Sequence, residues 1–73
     1  MSDFGVVLFH TTSSALRAEK IMQKAGLAVK LIPTPREFSS DCGIALRFPW
    51  AQAQEVEAAL LAARVEVAGT HRM

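Results

Sequence analysis

The sequence predicts a single α+β domain in which two helices cover one face of a four-stranded sheet. Short apolar runs rich in β-branched and aromatic residues alternate with two longer segments whose apolar residues recur every three or four positions. These segments follow one another in the order β-α-β-β-α-β. A chain of 73 residues has room for one hydrophobic core, so we expect one domain over 1–73, with a mobile tail at 70–73.

The first half of the chain contains the first strand and the first helix. The strand, "FGVVLFH" (4–10), is apolar at both odd and even positions, which is typical of a central strand covered on both sides. The hydroxyls of "TTSS" (11–14) are suited to capping the helix that follows over 15–26. Gly26 stands where a left-handed residue often ends a helix. The apolar stripe predicted for this helix consists of Ala15, Ala18, Ile21, Met22 and Ala25.

The second half contains three further strands and the second helix. We predict strands at 28–33, 42–48 and 65–69, with a loop at 34–41. The second helix is predicted over 49–64, with a proline at its first position.

Right-handed crossovers turn this order into a ferredoxin-like sandwich, with strand order 4-1-3-2 and both helices on the same side. The sheet surface away from the helices is called the open face below. We expect it to carry Lys30, Ala45, Arg47 and Ala68, together with either Val6 and Leu8 or Val7 and Phe9. Small and apolar residues on an exposed sheet favour a homodimer through this face.

The predicted topology brings the single cysteine to an edge of the sheet. The first and third strands are antiparallel neighbours, so the end of the first strand (His10) and the start of the third (Cys42) lie at the same edge. The first helix begins there, and its amides, the hydroxyls of Ser13 and Ser14, and Arg17 are candidates to stabilise an anion or a thiolate. A nearby Asp41 carboxylate opposes thiolate formation.

Composition excludes several classes of function. The net charge of +1 is too small for a nucleic-acid-binding surface. The absence of an apolar stretch of about 18 residues and of a basic signal segment predicts a cytoplasmic protein without a membrane partner. One cysteine and two distant histidines offer neither an internal disulfide nor a metal site.

The segment "SSDCGIALR" within "PTPREFSSDCGIALRF", with "SALRAEK" upstream, resembles a small bacterial and archaeal family of selenium/sulfur carrier-like proteins. The resemblance extends from the first strand to about Gly69. It implies that Cys42 holds sulfur or selenium as a persulfide or selenopersulfide and passes it to an acceptor protein. The residues implied in support are a loop of Ser39, Ser40, Asp41 and Gly43, with Arg36 as the neighbouring cation.

The same resemblance implies a desulfurase-type donor and no cofactor beyond the covalently bound sulfur or selenium. Such a protein is a carrier and not an enzyme in the strict sense, because the cysteine reacts stoichiometrically. Two alternatives remain from the residues themselves. The chain is a small dimeric binding module in which Cys42 is structural, or it is a redox enzyme. The redox enzyme ranks below the others, because its second thiol has to come from another molecule.

Overall fold

The computed structural model describes residues 3–38 and 43–73. Its elements are β1 (Phe4–Leu8), α1 (Thr12–Lys24), β2 (Lys30–Pro33), β3 (Ile44–Pro49), a 3-10 turn (Trp50–Gln52), α2 (Ala53–Ala62) and β4 (Gly69–Arg72). The strands form one antiparallel sheet in the order β2-β3-β1-β4. The predicted element order, strand order and ferredoxin-like topology are therefore confirmed.

The fourth strand lies four residues later than predicted. Val65, the expected first residue of this strand, instead donates its N–H to the Leu60 carbonyl at the end of α2. Val65 and Val67 pack against the core from the connecting segment, so their apolar character reflects burial and not a strand. Residues 70–72, expected to belong to the tail, pair with β1, and the Met73 N–H donates to the Phe4 carbonyl at 2.9 Å.

Strand β1 is central and is buried on both faces. Val7 and Phe9 are fully buried in the main core between the sheet and the helices. Val6 and Leu8 belong to a second cluster with Ala45 on the open face. The structure thus decides between the two alternatives that the sequence left for the open face.

The helices contribute the other side of the main core. The predicted stripe of α1 is confirmed at Ala15, Ala18 and Met22, which are fully buried, whereas Ala25 is exposed. Val56 and Leu60 of α2 pack into the same core. The longest described helix has 13 residues, and within the described ranges none could cross a membrane.

Both helices end in the same way. In each, the residue after the C-cap is left-handed, and two backbone N–H groups turn back to carbonyls of the last turn. After α1 this residue is Gly26 (φ +79°), as predicted, but after α2 it is Arg64 (φ +56°). A side chain in this region of backbone space is disfavoured, because its Cβ crowds the following carbonyl oxygen.

We therefore predict that Arg64→Gly stabilises the protein by about 0.5–1 kcal/mol. Glycine relieves the left-handed strain, and this gain outweighs the extra conformational entropy that glycine gives the unfolded chain. Urea unfolding of the variant and the wild-type protein measures this. Gly26→Ala is the matched control and should destabilise by about 1 kcal/mol, because nothing but backbone conformation opposes a Cβ there. Equal stability of Arg64→Gly and wild type would contradict the prediction.

Candidate functional site

One edge of the sheet collects the ends of several elements. The last residue of β1, Leu8, pairs with Ala45, and the last residue of β2, Pro33, pairs with Ile44. Just beyond, the Thr34 N–H donates to the Gly43 carbonyl at 3.1 Å. This hydrogen bond closes the β2–β3 loop at its base. We call this edge, with the start of α1 beside it, the loop rim.

Four of the predicted site residues lie outside the described residues, namely Ser39, Ser40, Asp41 and Cys42. Their roles remain predictions. The described residues on either side of this segment are Phe38 and Gly43.

Gly43 joins the cysteine segment to β3 in a conformation suited to glycine. Its φ is +72°, in the left-handed region. A Cβ at this position would meet no atom within 4 Å. Backbone conformation, and not lack of space, therefore explains the glycine directly after Cys42.

The start of α1 is capped by a hydroxyl of the predicted segment 11–14, but the helix begins at Thr12, three residues before its predicted start. Thr11 Oγ1 accepts the Ser14 N–H at 3.2 Å and donates to Ser14 Oγ at 3.0 Å. Ser14 is half-buried and Ser13 is exposed. The hydroxyls of Thr11 and Ser14 are thus used within the cap, whereas Ser13 faces solvent at the rim.

Arg17 makes a contact that the sequence did not suggest. Its Nη2 donates to the Ala63 carbonyl at 2.9 Å, at the C-terminal end of α2. A cation is favourable there, because unpaired carbonyls give a helix C-terminus partial negative charge. In this structure the guanidinium links the two helices, and the predicted role of Arg17 in anion binding has to compete with that contact.

The other two predicted site residues are exposed. These two residues are His10 and Arg36. His10 lies two residues after Leu8, and Gly43 lies two residues before its partner Ala45, so the topology brings His10 to the same edge as the start of β3. Arg36 is exposed within the part of the loop that precedes the cysteine segment.

Sequence reasoning missed the role of Phe38. Its N–H donates to the Pro35 carbonyl, and its ring stacks on His71 of β4 with centroids 4.6 Å apart and planes 15° apart. The ring also packs against the open-face cluster of Val6, Leu8 and Ala45. Phe38 thus covers part of the open face.

This contact changes the interpretation of the open face. The residues expected to be exposed there include Val6, Leu8 and Ala45, which are 4% exposed or less. Ala68 lies before β4, and Gly69 and His71 occupy the open face in its place. Because the chain itself covers this apolar cluster, the apolar character of the face no longer argues for a homodimer there.

Thr34 is a second residue that the sequence did not single out. Its Oγ1 is buried and has no hydrogen-bond partner among the residues that the structure describes. Burying a hydroxyl without a partner costs about 1–3 kcal/mol. This unsatisfied group lies at the base of the loop that carries Cys42.

No group of three or more His, Cys, Asp or Glu side chains in the described ranges is arranged to hold a metal ion. The fold and the rim define the class: an α+β, ferredoxin-like fold in which the Thr34–Gly43 hydrogen bond closes the base of a loop at one edge of the sheet. Residues 4–72 match the family described as "Putative Se/S carrier protein-like", and the chain belongs to this family. No curated protein and no solved structure was found to match.

We predict that Phe38→Ala destabilises the protein by about 1–3 kcal/mol, because it uncovers the open-face cluster and removes the stack on His71. Urea unfolding measures the loss. Phe38→Leu retains most of the apolar cover and should recover more than half of it. A Phe38→Ala variant as stable as wild type would mean that the ring contributes nothing to holding the loop on the sheet.

We also predict that Gly43→Ala costs about 1–2 kcal/mol, because alanine is strained at positive φ. Gly43→Asn should cost less, since asparagine tolerates this conformation better than other side chains. Thermal or urea unfolding of the two variants gives the order. Alanine proving the milder substitution would contradict the conformational explanation.

Proposed function

We propose that this protein carries a sulfur or selenium atom on Cys42 and delivers it to an acceptor protein. The observation that carries the proposal is membership of the Se/S carrier-like family over residues 4–72. Cys42 is the only cysteine of the 73 residues, so it is the one thiol that can hold the atom. A second thiol in the same chain would release the atom by forming a disulfide, and the sequence contains none.

Loading is a thiol–persulfide exchange that needs no external oxidant. The Cys42 thiolate attacks the terminal sulfur of a donor persulfide, R–S–SH. A new sulfur–sulfur bond forms as the donor's bond breaks, and R–S⁻ leaves with the bonding electron pair. Unloading repeats the step, with an acceptor thiolate attacking the terminal atom. With R–S–SeH as donor, the same sequence moves selenium.

Several features of the rim support a thiolate or a terminal anion near Cys42. The cap of α1 is at this edge, and a helix N-terminus carries partial positive charge. Arg36 and His10 are exposed, and the strand register brings His10 to the same edge as the start of β3. They are the candidate cation and the candidate proton carrier. We further propose that Ser39, Ser40 and Asp41 shape the segment that presents the thiol.

The proposed role also bears on where the protein acts and what it meets. A carrier thiol has to stay reduced, which favours the cytoplasm, where disulfides are rarely stable. The partners are a desulfurase-type donor and an acceptor with a nucleophilic thiol. Since the atom is transferred stoichiometrically, the protein is a carrier and not an enzyme.

Intact-protein mass spectrometry tests the proposal. The wild-type protein is incubated with a cysteine desulfurase and isotope-labelled cysteine, and in parallel with selenocysteine. We expect a gain of one sulfur or one selenium atom that is lost on treatment with a thiol reductant. The element gained identifies the cargo.

Cys42→Ser is the control and should gain neither atom, since an alcohol is not a comparable nucleophile. Labelling of Cys42→Ser to the same extent as wild type would overturn the proposal. So would a wild-type protein that gains no atom and whose Cys42 resists alkylation in the folded state. In that case the cysteine is structural and the chain is a binding module.

Thr34 offers a test of the rim itself. We propose that its hydroxyl, which has no partner within residues 3–38 and 43–73, donates a hydrogen bond to the loaded terminal atom, which is an anion. Thr34→Val should then slow loading several-fold while leaving stability unchanged or raised by about 1 kcal/mol, because it removes a buried unsatisfied hydroxyl.

Loading rates come from the mass-spectrometric time course, and stability comes from urea unfolding. Thr34→Ser keeps the hydroxyl and should restore the rate. A Thr34→Val protein that loads as fast as wild type would remove Thr34 from the site and leave the carrier proposal intact.

A further inference from the structure

An apolar groove of about 320 Å³ runs between α2 and β4. Its lining residues are Glu57, Leu60, Leu61, Val65, Val67 and Thr70. Leu61 is 81% exposed, the highest value among the large apolar side chains in the described ranges. An exposed leucine alone is ordinary, but here it borders a groove that continues onto the last strand of the sheet.

The outer edge of β4 is able to pair with another strand. In the described sheet β4 is terminal, with β1 on its inner side. His71 is paired with Val6, and the Met73 N–H donates to Phe4, so the backbone groups of His71 and Met73 point inward. In an antiparallel strand the intervening residues, Thr70 and Arg72, direct their N–H and C=O groups outward.

The other terminal strand of the described sheet, β2, is protected against pairing with another strand, whereas β4 is not. Strand β2 carries Lys30 at one end and Pro33 at the other, and lysine and proline are residues that block edge-to-edge pairing. Strand β4 has the same length of four residues but contains neither. The two edges therefore differ in chemistry and not in length.

We propose that a second copy of this chain pairs with β4 about a twofold axis, joining two sheets into one of eight strands. The outward backbone groups dictate the register. Thr70 exchanges hydrogen bonds with the partner's Arg72, and Arg72 does so with the partner's Thr70. His71 then lies opposite the partner's His71, on the open face beside Phe38.

Charge complementarity supports this register. Arg72 lies on the helix side of the sheet, where its guanidinium is 5.4 Å from the centroid of the Trp50 ring. Residues directly opposite each other in an antiparallel pair share a face. The Arg72 side chain is therefore beside the partner's Thr70, which lines the groove together with the partner's Glu57. The twofold axis makes this attraction occur twice.

The same arrangement covers the apolar groove. Both α2 helices lie on the same side of the joined sheet, so the two grooves face each other across the axis. Leu61 then packs near the partner's groove instead of facing water. Burial of this leucine and of the groove walls supplies an apolar contribution that four backbone hydrogen bonds alone would lack. The proposal is independent of the chemistry of Cys42.

Sedimentation velocity of the full chain in reductant, over a hundredfold range of concentration, tests the proposal. We expect wild-type protein to shift from monomer to dimer with rising concentration, and Cys42→Ser to do the same. Leu61→Lys should raise the dimer dissociation constant at least about tenfold, because it places two cations against the axis. Thr70→Pro should do likewise, since it removes an outward N–H that the monomer does not use.

Two controls locate the interface. Leu16→Lys replaces the other exposed leucine, on α1, and Lys30→Glu alters the open face near β2, so neither should change dimerisation. Circular dichroism verifies that each variant is folded. Leu61 is exposed, so Leu61→Lys tests the interface even where Thr70→Pro fails to fold.

A wild-type protein that stays monomeric at the highest concentration would overturn the proposal. A dimer that Leu61→Lys leaves intact would also overturn it. If Lys30→Glu weakened the dimer and Leu61→Lys did not, the interface would be assigned to the open face.

The reciprocal pair Glu57→Arg and Arg72→Glu adds a specific check. Each alone should weaken the dimer, and the double variant should recover at least part of the loss.

Discussion

Burial of β1 on both of its faces is the constraint on which the rest of this structure depends. Val7 and Phe9 anchor the main core beneath the helices, while Val6 and Leu8 require cover on the other side. Gly5 leaves the space above β1 that the rings of Phe48 and Trp50 occupy. A domain of this size has little apolar surface to spare, so both faces of its central strand contribute to stability.

The need to cover the second face explains the course of the β2–β3 loop. Phe38 reaches across the sheet to His71, while the hydrogen bond from Thr34 to Gly43 holds the base of the loop closed. The segment that carries Cys42 is therefore joined to the fold at both of its ends by contacts that also stabilise the core. In this way packing and the proposed carrier site are linked through one loop.

The C-terminal part of α2 and strand β4 border an apolar groove that the described chain leaves uncovered. Arg17 neutralises the C-terminal end of α2, and the chain then turns through the left-handed Arg64 into the segment leading to β4. That path places Leu61 and the groove next to an edge strand with outward-facing backbone groups. The described chain covers the apolar surface of the open face, but it leaves the apolar groove beside β4 uncovered.

Local patterns in the sequence determined the element order, a hydroxyl cap within residues 11–14 and the left-handed Gly26, because each depends on neighbouring residues and on periodicity. The right-handedness of crossovers then gave the strand order. The same patterns singled out Cys42 and its family. Only the tertiary structure decided that Val6 and Leu8 face Phe38, that Arg17 binds Ala63, and that β4 begins at Gly69. These outcomes depend on contacts between residues far apart in the chain. Apolar residues such as Val65 and Val67 pack equally well from a strand or from a connection, so alternation alone could not place the last strand.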